Sequence, residues 1–488
     1  MTDTSAAPRP RVRTPEPLHY HLIGIAGTAM ASLAGLLRAA GHTVTGSDEN
    51  VYPPMSDQLR ELGIDYAVGY RPGNLRPRPD WVIVGNAISR GNPELEAVLD
   101  ERIPYTSAAS TVKEEFLRTR KPLAVAGTHG KTTTTSLLAW ILECAGLNPG
   151  FLIGGVAENF GTSFRLTDSE WFVIEADEYD TAYFDKGPKM WHYLPYVGVV
   201  NNIEFDHADI YRDEEAYRFA FARFVNLVPR SGTLVAGWDS PIMRELAAGA
   251  PSPIESFAYG DDEVAAEGAH PLWTAREVSF GPEGTRFTAL RAGAPWGDVV
   301  TPLTGAFNVR NCLAVIATAE FIGADREGVL EGLRTFRSVK RRMELRGEAR
   351  GVTVIDDFAH HPTAVRETID AVRQRYVGRP IVAVFEPRSY TAQRREFQEQ
   401  YARAFAGADQ VVLAGLFHPE RYTAETAMNP HELVDGWRAE GKEAWFIPDP
   451  DEIVRHLAPR LTGGEVVLVM SNGGFGGIHD KLLKALEN

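Results

Sequence analysis

At 488 residues the chain is too long for one core, and two to four domains are expected. Its 44% hydrophobic and 24% charged content is that of a soluble globular protein. A formal net charge of −15 argues against a general nucleic-acid surface, while leaving room for a local basic pocket that takes an anionic small molecule. No apolar run is long enough to cross a bilayer, so no membrane role is expected, and Met1 to Pro17 reads as a loose tail, not a signal peptide. With only Cys144 and Cys312 there is no disulfide framework, and a reducing cytoplasm is the expected compartment.

In chain order, an apolar strand from His19 to Ile23 runs into a turn with Gly24 and Gly27, and Met30, Leu33, Ala34 and Leu37 then mark a helix. A second strand, His42 to Thr45, ends at Gly46, Ser47 and Asp48. This is the start of a dinucleotide-type βαβ fold with an acid after its second strand. The glycines fall as G-x-x-G, so NAD is poorly supported and another nucleotide's phosphates remain open. Trp81 to Val84 is a further strand, followed by the turn-rich loop Gly85 to Pro93.

Near Lys121 the second domain opens with the stretch around which the chain is organised. The strand Pro122 to Ala126 is followed by Gly127, Thr128, His129, Gly130, Lys131, Thr132 and Thr133, then by a helix with Leu137, Leu138, Ile141 and Leu142 on one face. Strand, glycine loop and helix is the layout that cradles nucleotide phosphates, with Lys131 on the β- and γ-phosphates and the Thr132 hydroxyl on Mg²⁺. Val125 stands where the general phosphate-loop pattern has a glycine. Two later strands also end in polar residues: one leads into Glu175, Ala176, Asp177 and Glu178, the other into Asn201, Asn202 and on to His207. Ligands of open α/β sheets sit at such carboxyl ends, so Lys131, Thr132, Glu175 and His207 are expected at one crevice around Mg²⁺.

From Ser231 to Pro302 the sequence shows short strand-like pieces and many turns, with no defensible chemistry. Asn308 and Asn311 then open a helix, either as caps or as site residues, and Arg341-Arg342 is either a phosphate contact or a surface cluster. A third domain begins near Val339 and alternates strands with helices. Its first full strand ends at Asp356, Asp357, Phe358, Ala359, His360 and His361, and a later one at Glu386, Pro387, Arg388 and Ser389. The His360–His361 pair alone is weaker evidence for zinc than for a polar loop.

Together, G-T-x-G-K-T at 127–132, E-A-D-E at 175–178, N-x-x-x-D-H at 202–207, N-x-x-N at 308–311 and D-D-F-A-H-H-P at 356–362 resemble the Mur ligase family over nearly the whole chain. Val125 is ordinary there. The resemblance implies an α/β fold of three domains: a Rossmann-like UDP-sugar domain (1–119), a central P-loop ATPase-like domain with a mostly parallel sheet (120–338), and a Rossmann-like C-terminal domain (339–488). It implies ATP as substrate, with contacts from residues 127–133, Asn308, Asn311, Arg342 and Asp356. Lys131, Glu175 and His207 would be catalytic, with Mg²⁺ on Thr132, Glu175 and His207. Gly24, Gly27 and Asp48 would meet the UDP-sugar, and His361 and Arg388 the acceptor.

Finer stretches, among them 46–56, 85–93, 385–389 and 471–477, are similar to the branch joining UDP-N-acetylmuramate to L-Ala-γ-D-Glu-meso-diaminopimelate through an acyl phosphate, in cell-wall recycling. The branch that adds L-alanine is the alternative; it usually has Pro-His-Arg-Tyr where this chain has Pro387-Arg388-Ser389-Tyr390. A regulatory or motor ATPase would account for the phosphate loop and Glu175 alone, and an NAD-dependent oxidoreductase only for the first glycine turn.

Overall fold

The alternation of apolar strands and helices is realised as three main sheets in a computed structural model describing residues 16–52, 55–206, 210–260, 270–423 and 425–487. The first sheet contains β1 (His19–Ile23), β2 (Thr43–Asp48), β3 (Asp65–Val68), β4 (Trp81–Val84) and β5 (Tyr105–Ser107). Its order is β3-β2-β1-β4-β5, parallel throughout. Parallel neighbours need crossovers, and the helix Thr28–Ala39 supplies the one from β1 to β2. The strand order reverses at β1, so the glycine turn after Ile23 lies at a switch point, where such sheets leave a crevice.

The second sheet is built from β6 (Lys121–Ala126), β7 (Gly150–Ala157), β8 (Thr162–Arg165) and β9 (Trp171–Glu175). A separate hairpin, β10 (Asp180–Ala182) and β11 (Asp185–Pro188), follows. The sheet continues with β12 (Val197–Val200), β13 (Thr233–Gly237), β14 (Ile254–Phe257), β15 (Trp273–Gly281), β16 (Gly284–Arg291) and β17 (Ala294–Thr301). β6 lies between β12 and β9, all parallel, with Ala126 opposite Val200 and Val125 opposite Glu175. That register brings three strand ends level, as expected from the sequence.

The stretch 231–302, read from sequence as fragments, instead forms β13, β14 and a long antiparallel meander, β15 to β17. Its period is hidden because the register shifts between Arg276 and Ser279, where Glu277 has φ 55°, and because one face stays partly open to solvent.

The third sheet holds β18 (Glu344–Ala349), β19 (Val352–Asp357), β20 (Ile381–Phe385), β21 (Gln410–Leu413), β22 (Glu443–Phe446) and β23 (Val466–Met470). Its order is β18-β19-β23-β20-β21-β22, parallel except for β18. Both faces are covered: Ile355, Ala383, Phe385 and Leu468 enter one core, and Val354, Val382, Val384 and Val467 the other. That is why its strands read as unbroken apolar runs. Full burial of each Val, Ile, Leu or Phe side chain there is worth about 1.5–3 kcal/mol.

By packing, residues up to Val112 and Thr181–Lys186 form one compact unit, and the remainder, with the second and third sheets, forms another. No helix among the described residues is long and apolar enough to cross a membrane.

Candidate active site

β6 delivers the chain to Gly127 and Gly130, with φ of 130° and 82°. Both glycines are required by close approach as well as by conformation. A Cβ on Gly127 would lie 3.1 Å from Asn201 N and Asn202 O, and one on Gly130 would lie 2.8 Å from Asn311 Oδ1. Between them the loop is held by the chain leaving β12. Thr128 N–H donates to Asn202 O (3.0 Å), His129 N–H to Asn202 Oδ1 (2.9 Å), and Glu204 N–H to Thr128 Oγ1 (2.9 Å). The helix Lys131–Cys144 starts behind Gly130 with no side-chain cap, leaving its first-turn N–H groups and its dipole for an anion.

Lys131 is the first residue of that helix. Its ammonium donates to Gly127 O (2.7 Å) and Thr128 O (3.2 Å), and pairs with Glu178 Oε1 (2.9 Å) and Oε2 (2.7 Å). Burial alone would lower its pKa, but Glu178, Asp177 and Glu175 outweigh that and raise it, so it stays a cation. Thr132 donates from Oγ1 to Glu175 Oε1 at 3.0 Å, and Gly154 N–H donates to Glu175 Oε2 at 2.8 Å. Burial pushes the Glu175 carboxyl above the usual range, only partly countered by Lys131 and the Gly154 N–H. Thr133 is buried within the first helical turn. His207 lies outside the described residues.

Asn308 and Asn311, on the helix Ala306–Phe321, are both buried. Asn308 Nδ2 donates to Thr304 O (2.9 Å) and Asn311 Nδ2 to Asn308 Oδ1 (3.0 Å). Asn201 Nδ2 reaches Thr134 Oγ1 at 2.9 Å and Asn311 Oδ1 at 3.4 Å. The pair is thus tied to the phosphate loop. A small cleft lies here, lined by His129, Gly130, Asn201, Asn202, Phe307 and Asn311, with Arg310 and Glu367 also on its wall.

The chain leading into β18 adds a second, half-buried cation. Arg342 Nη2 donates to Thr132 Oγ1 at 3.3 Å; burial lowers its pKa, while Asp357 and Glu175 act in the opposite sense. Asp356 faces other partners, His479 at 3.3 Å and Arg341 at 3.4 Å. Asp357, not singled out from the sequence, is the carboxylate whose charge acts on Arg342, and it accepts from Met343 N–H at 2.7 Å. His361 caps the helix Pro362–Arg375, and its ring lies 4.8 Å from that of His129. Arg388 sits elsewhere, its guanidinium 3.7 Å from the Phe417 ring and 3.6 Å from Glu386 Oε1. The two residues expected at the acceptor therefore have different surroundings.

In the first unit, Gly24, Gly27 and Asp48 do meet. Gly24, with φ 85°, donates its N–H to Ser47 O (2.8 Å), Gly27 precedes the first helix, and Asp48 Oδ2 accepts from Ala26 N–H (3.0 Å). Beneath them lies a network that sequence reading missed. Buried Glu94 accepts from Ser47 Oγ (2.8 Å) and Asn74 Nδ2 (2.8 Å) and pairs with His21 Nε2 (2.6 Å). Glu178, Asn201, Asn202 and Glu204 were legible only as members of strand-end motifs; for Glu94 no local signal exists.

A glycine phosphate loop, an acidic strand end and two half-buried cations define an α/β enzyme that uses a nucleoside triphosphate. Family models for the "Mur ligase family, catalytic domain", the "Mur ligase middle domain" and the "Mur ligase, glutamate ligase domain" match residues 19–118, 125–319 and 341–473. The UDP-N-acetylmuramate–L-alanyl-γ-D-glutamyl-meso-2,6-diaminoheptandioate ligase of Escherichia coli (strain K12) is 43% identical over 96% of this chain and 98% of its own. The Haemophilus influenzae ligase of the same name is 41% identical, over 96% and 99%. A crystal structure of a murein peptide ligase from Psychrobacter arcticus 273-4 superimposes with a TM-score of 0.71 at 37% identity, covering 96% of this chain and 99% of that one. The chain belongs to the Mur ligase family of ATP-dependent ligases, and has that family's three-domain fold.

Proposed function

We propose that this chain joins UDP-N-acetylmuramate to L-Ala-γ-D-Glu-meso-diaminopimelate, with ATP converted to ADP and phosphate, in recycling of cell-wall peptide in the cytoplasm. The observation that carries this reading is likeness over almost the full chain to ligases named for that tripeptide. The site geometry supports it. A carboxylate and an amine form a salt in water, so the muramate carboxylate is first activated as an acyl phosphate, which the peptide amine then attacks. Both steps bring anions together, and cations already in place are the main catalytic resource.

Lys131 holds the transferring phosphoryl group, exchanging its loop carbonyls for phosphate oxygens, and Arg342 brings a second positive charge beside Thr132. The Thr132 hydroxyl and the Glu175 carboxylate, 3.0 Å apart, are an oxygen pair suited to Mg²⁺, with His207 as a further ligand. Bound there, Mg²⁺ neutralises phosphate charge. Residues 127–133 cradle the phosphates, and Asn308 and Asn311, tied to that loop through Asn201, contact the nucleotide. The turn of Gly24, Gly27 and Asp48 takes the UDP-sugar, and the acceptor lies on the side of Arg388. We place the domain boundaries near 119 and 338.

The test is ADP release from purified protein given ATP and Mg²⁺. Release that needs both UDP-N-acetylmuramate and the tripeptide is expected; release indifferent to both would refute the reading.

A further inference from the structure

We propose that His129, Glu204 and His361 form a binding site for a zinc-type divalent transition metal, distinct from the oxygen pair Thr132–Glu175. Their ligand atoms all lie within 4.8 Å of one another. His129 Nε2 is 3.3 Å from Glu204 Oε2, and His361 Nδ1 is 3.7 Å from the same oxygen. Tetrahedral zinc with bonds of about 2.0–2.1 Å sets its ligands about 3.3–3.4 Å apart. The Glu204–His129 edge already has that length, and the Glu204–His361 edge needs only a few tenths of an ångström.

The donors are two imidazoles and one carboxylate, a set with nitrogen in the majority, which suits zinc and cobalt better than Mg²⁺ with its preference for oxygen. The three come from three separate segments: the phosphate loop, the chain after β12, and the cap of the helix Pro362–Arg375. Sequence spacing therefore hides the site, and the adjacent pair His360–His361 misdirects; His360 Nδ1 turns instead to Phe358 O at 3.0 Å.

His361 Nδ1 has only a long contact with Thr363 N–H, 3.4 Å, to give up. Three protein ligands leave one position open for water or a phosphate oxygen. An ion there ties the phosphate loop to the third sheet's first helix, so metal and nucleotide binding become linked.

The test uses full-length protein stripped of metal, without ATP or Mg²⁺, titrated with Zn²⁺ by calorimetry and with Co²⁺ by visible absorption. One ion per chain is expected, with a Co²⁺ spectrum of tetrahedral type. Glu204→Gln and His361→Ala should each weaken binding at least tenfold, while His360→Ala leaves it unchanged. Binding below one ion per chain, or unaltered in Glu204→Gln, or weakened equally by His360→Ala, would overturn the proposal. Should His361→Ala fail to fold, Glu204→Gln, nearly the same shape, carries the test. No substrate is present, so failure here leaves the ligase reading untouched.

Discussion

Replacing Lys131 with methionine separates its structural role from its chemical one. The ammonium lies 2.9 and 2.7 Å from the two oxygens of Glu178, a carboxylate with 0% exposure, and is itself 12% exposed. Removing one partner of a buried pair leaves an uncompensated charge and costs about 3–5 kcal/mol. Against a typical total stability of about 5–15 kcal/mol, Lys131→Met should stay folded but unfold at visibly lower urea. Adding Glu178→Gln removes the stranded charge, and the double variant should recover about 2 kcal/mol or more, within the usual range for groups in contact. Turnover should not follow. Without Lys131 the transferring phosphoryl group loses a fixed cation, a loss of about 10²–10³ in rate by analogy with removing one oxyanion donor, and Glu178→Gln cannot replace it. Urea unfolding and ADP release on the four proteins of this cycle read the two effects separately. A double variant no more stable than Lys131→Met would refute the buried-pair argument, and near-normal turnover in Lys131→Met would remove Lys131 from the chemistry.

Other outcomes follow from the same geometry. Glu175→Gln should raise the Mg²⁺ concentration for half-maximal ADP release at least tenfold, since it removes the charged member of the oxygen pair; an unchanged Mg²⁺ titration would count against that role. Gly130→Ala combines φ 82° with a Cβ 2.8 Å from Asn311 Oδ1, so a loss of about 1–3 kcal/mol in stability is expected, with weaker ATP binding by calorimetry. Burial would raise the Glu94 pKa, but hydrogen bonds from His21, Asn74 and Ser47 outweigh it and hold the carboxyl below its ordinary 4.5. The unfolded chain then takes up the proton first, so stability present above pH 4.5 is lost as pH falls through the folded-state value. Glu94→Gln should be less stable than the native chain at pH 7, by urea midpoint, and the gap should narrow towards pH 4.

What the sequence made legible was local. Gly127 to Thr133 declares itself because strand, loop and helix are contiguous, and Glu175 because an apolar strand precedes it. The parallel cores were equally plain, since strands buried on both faces are unbroken apolar runs. What stayed hidden depends on distant partners. Nothing near Glu178 announces that it neutralises Lys131, 47 residues away in sequence. Asp356 and Asp357 are adjacent and chemically identical, and only the pleat of β19 decides that Asp357, not Asp356, acts on Arg342. Glu94 is linked to His21 across 73 residues. The meander β15–β17 was missed for a different reason: a bulge breaks its alternation.

The acceptor sets the role of the enzyme, and a product mass identifies the acceptor. Protein, ATP, Mg²⁺ and UDP-N-acetylmuramate would be incubated with the tripeptide in one tube and L-alanine in another. A UDP-muramyl-tripeptide formed together with ADP, with little product from alanine, is the predicted result. Product from alanine alone would contradict the recycling role, and ATP hydrolysis without an amide in either tube would contradict the ligase reading itself.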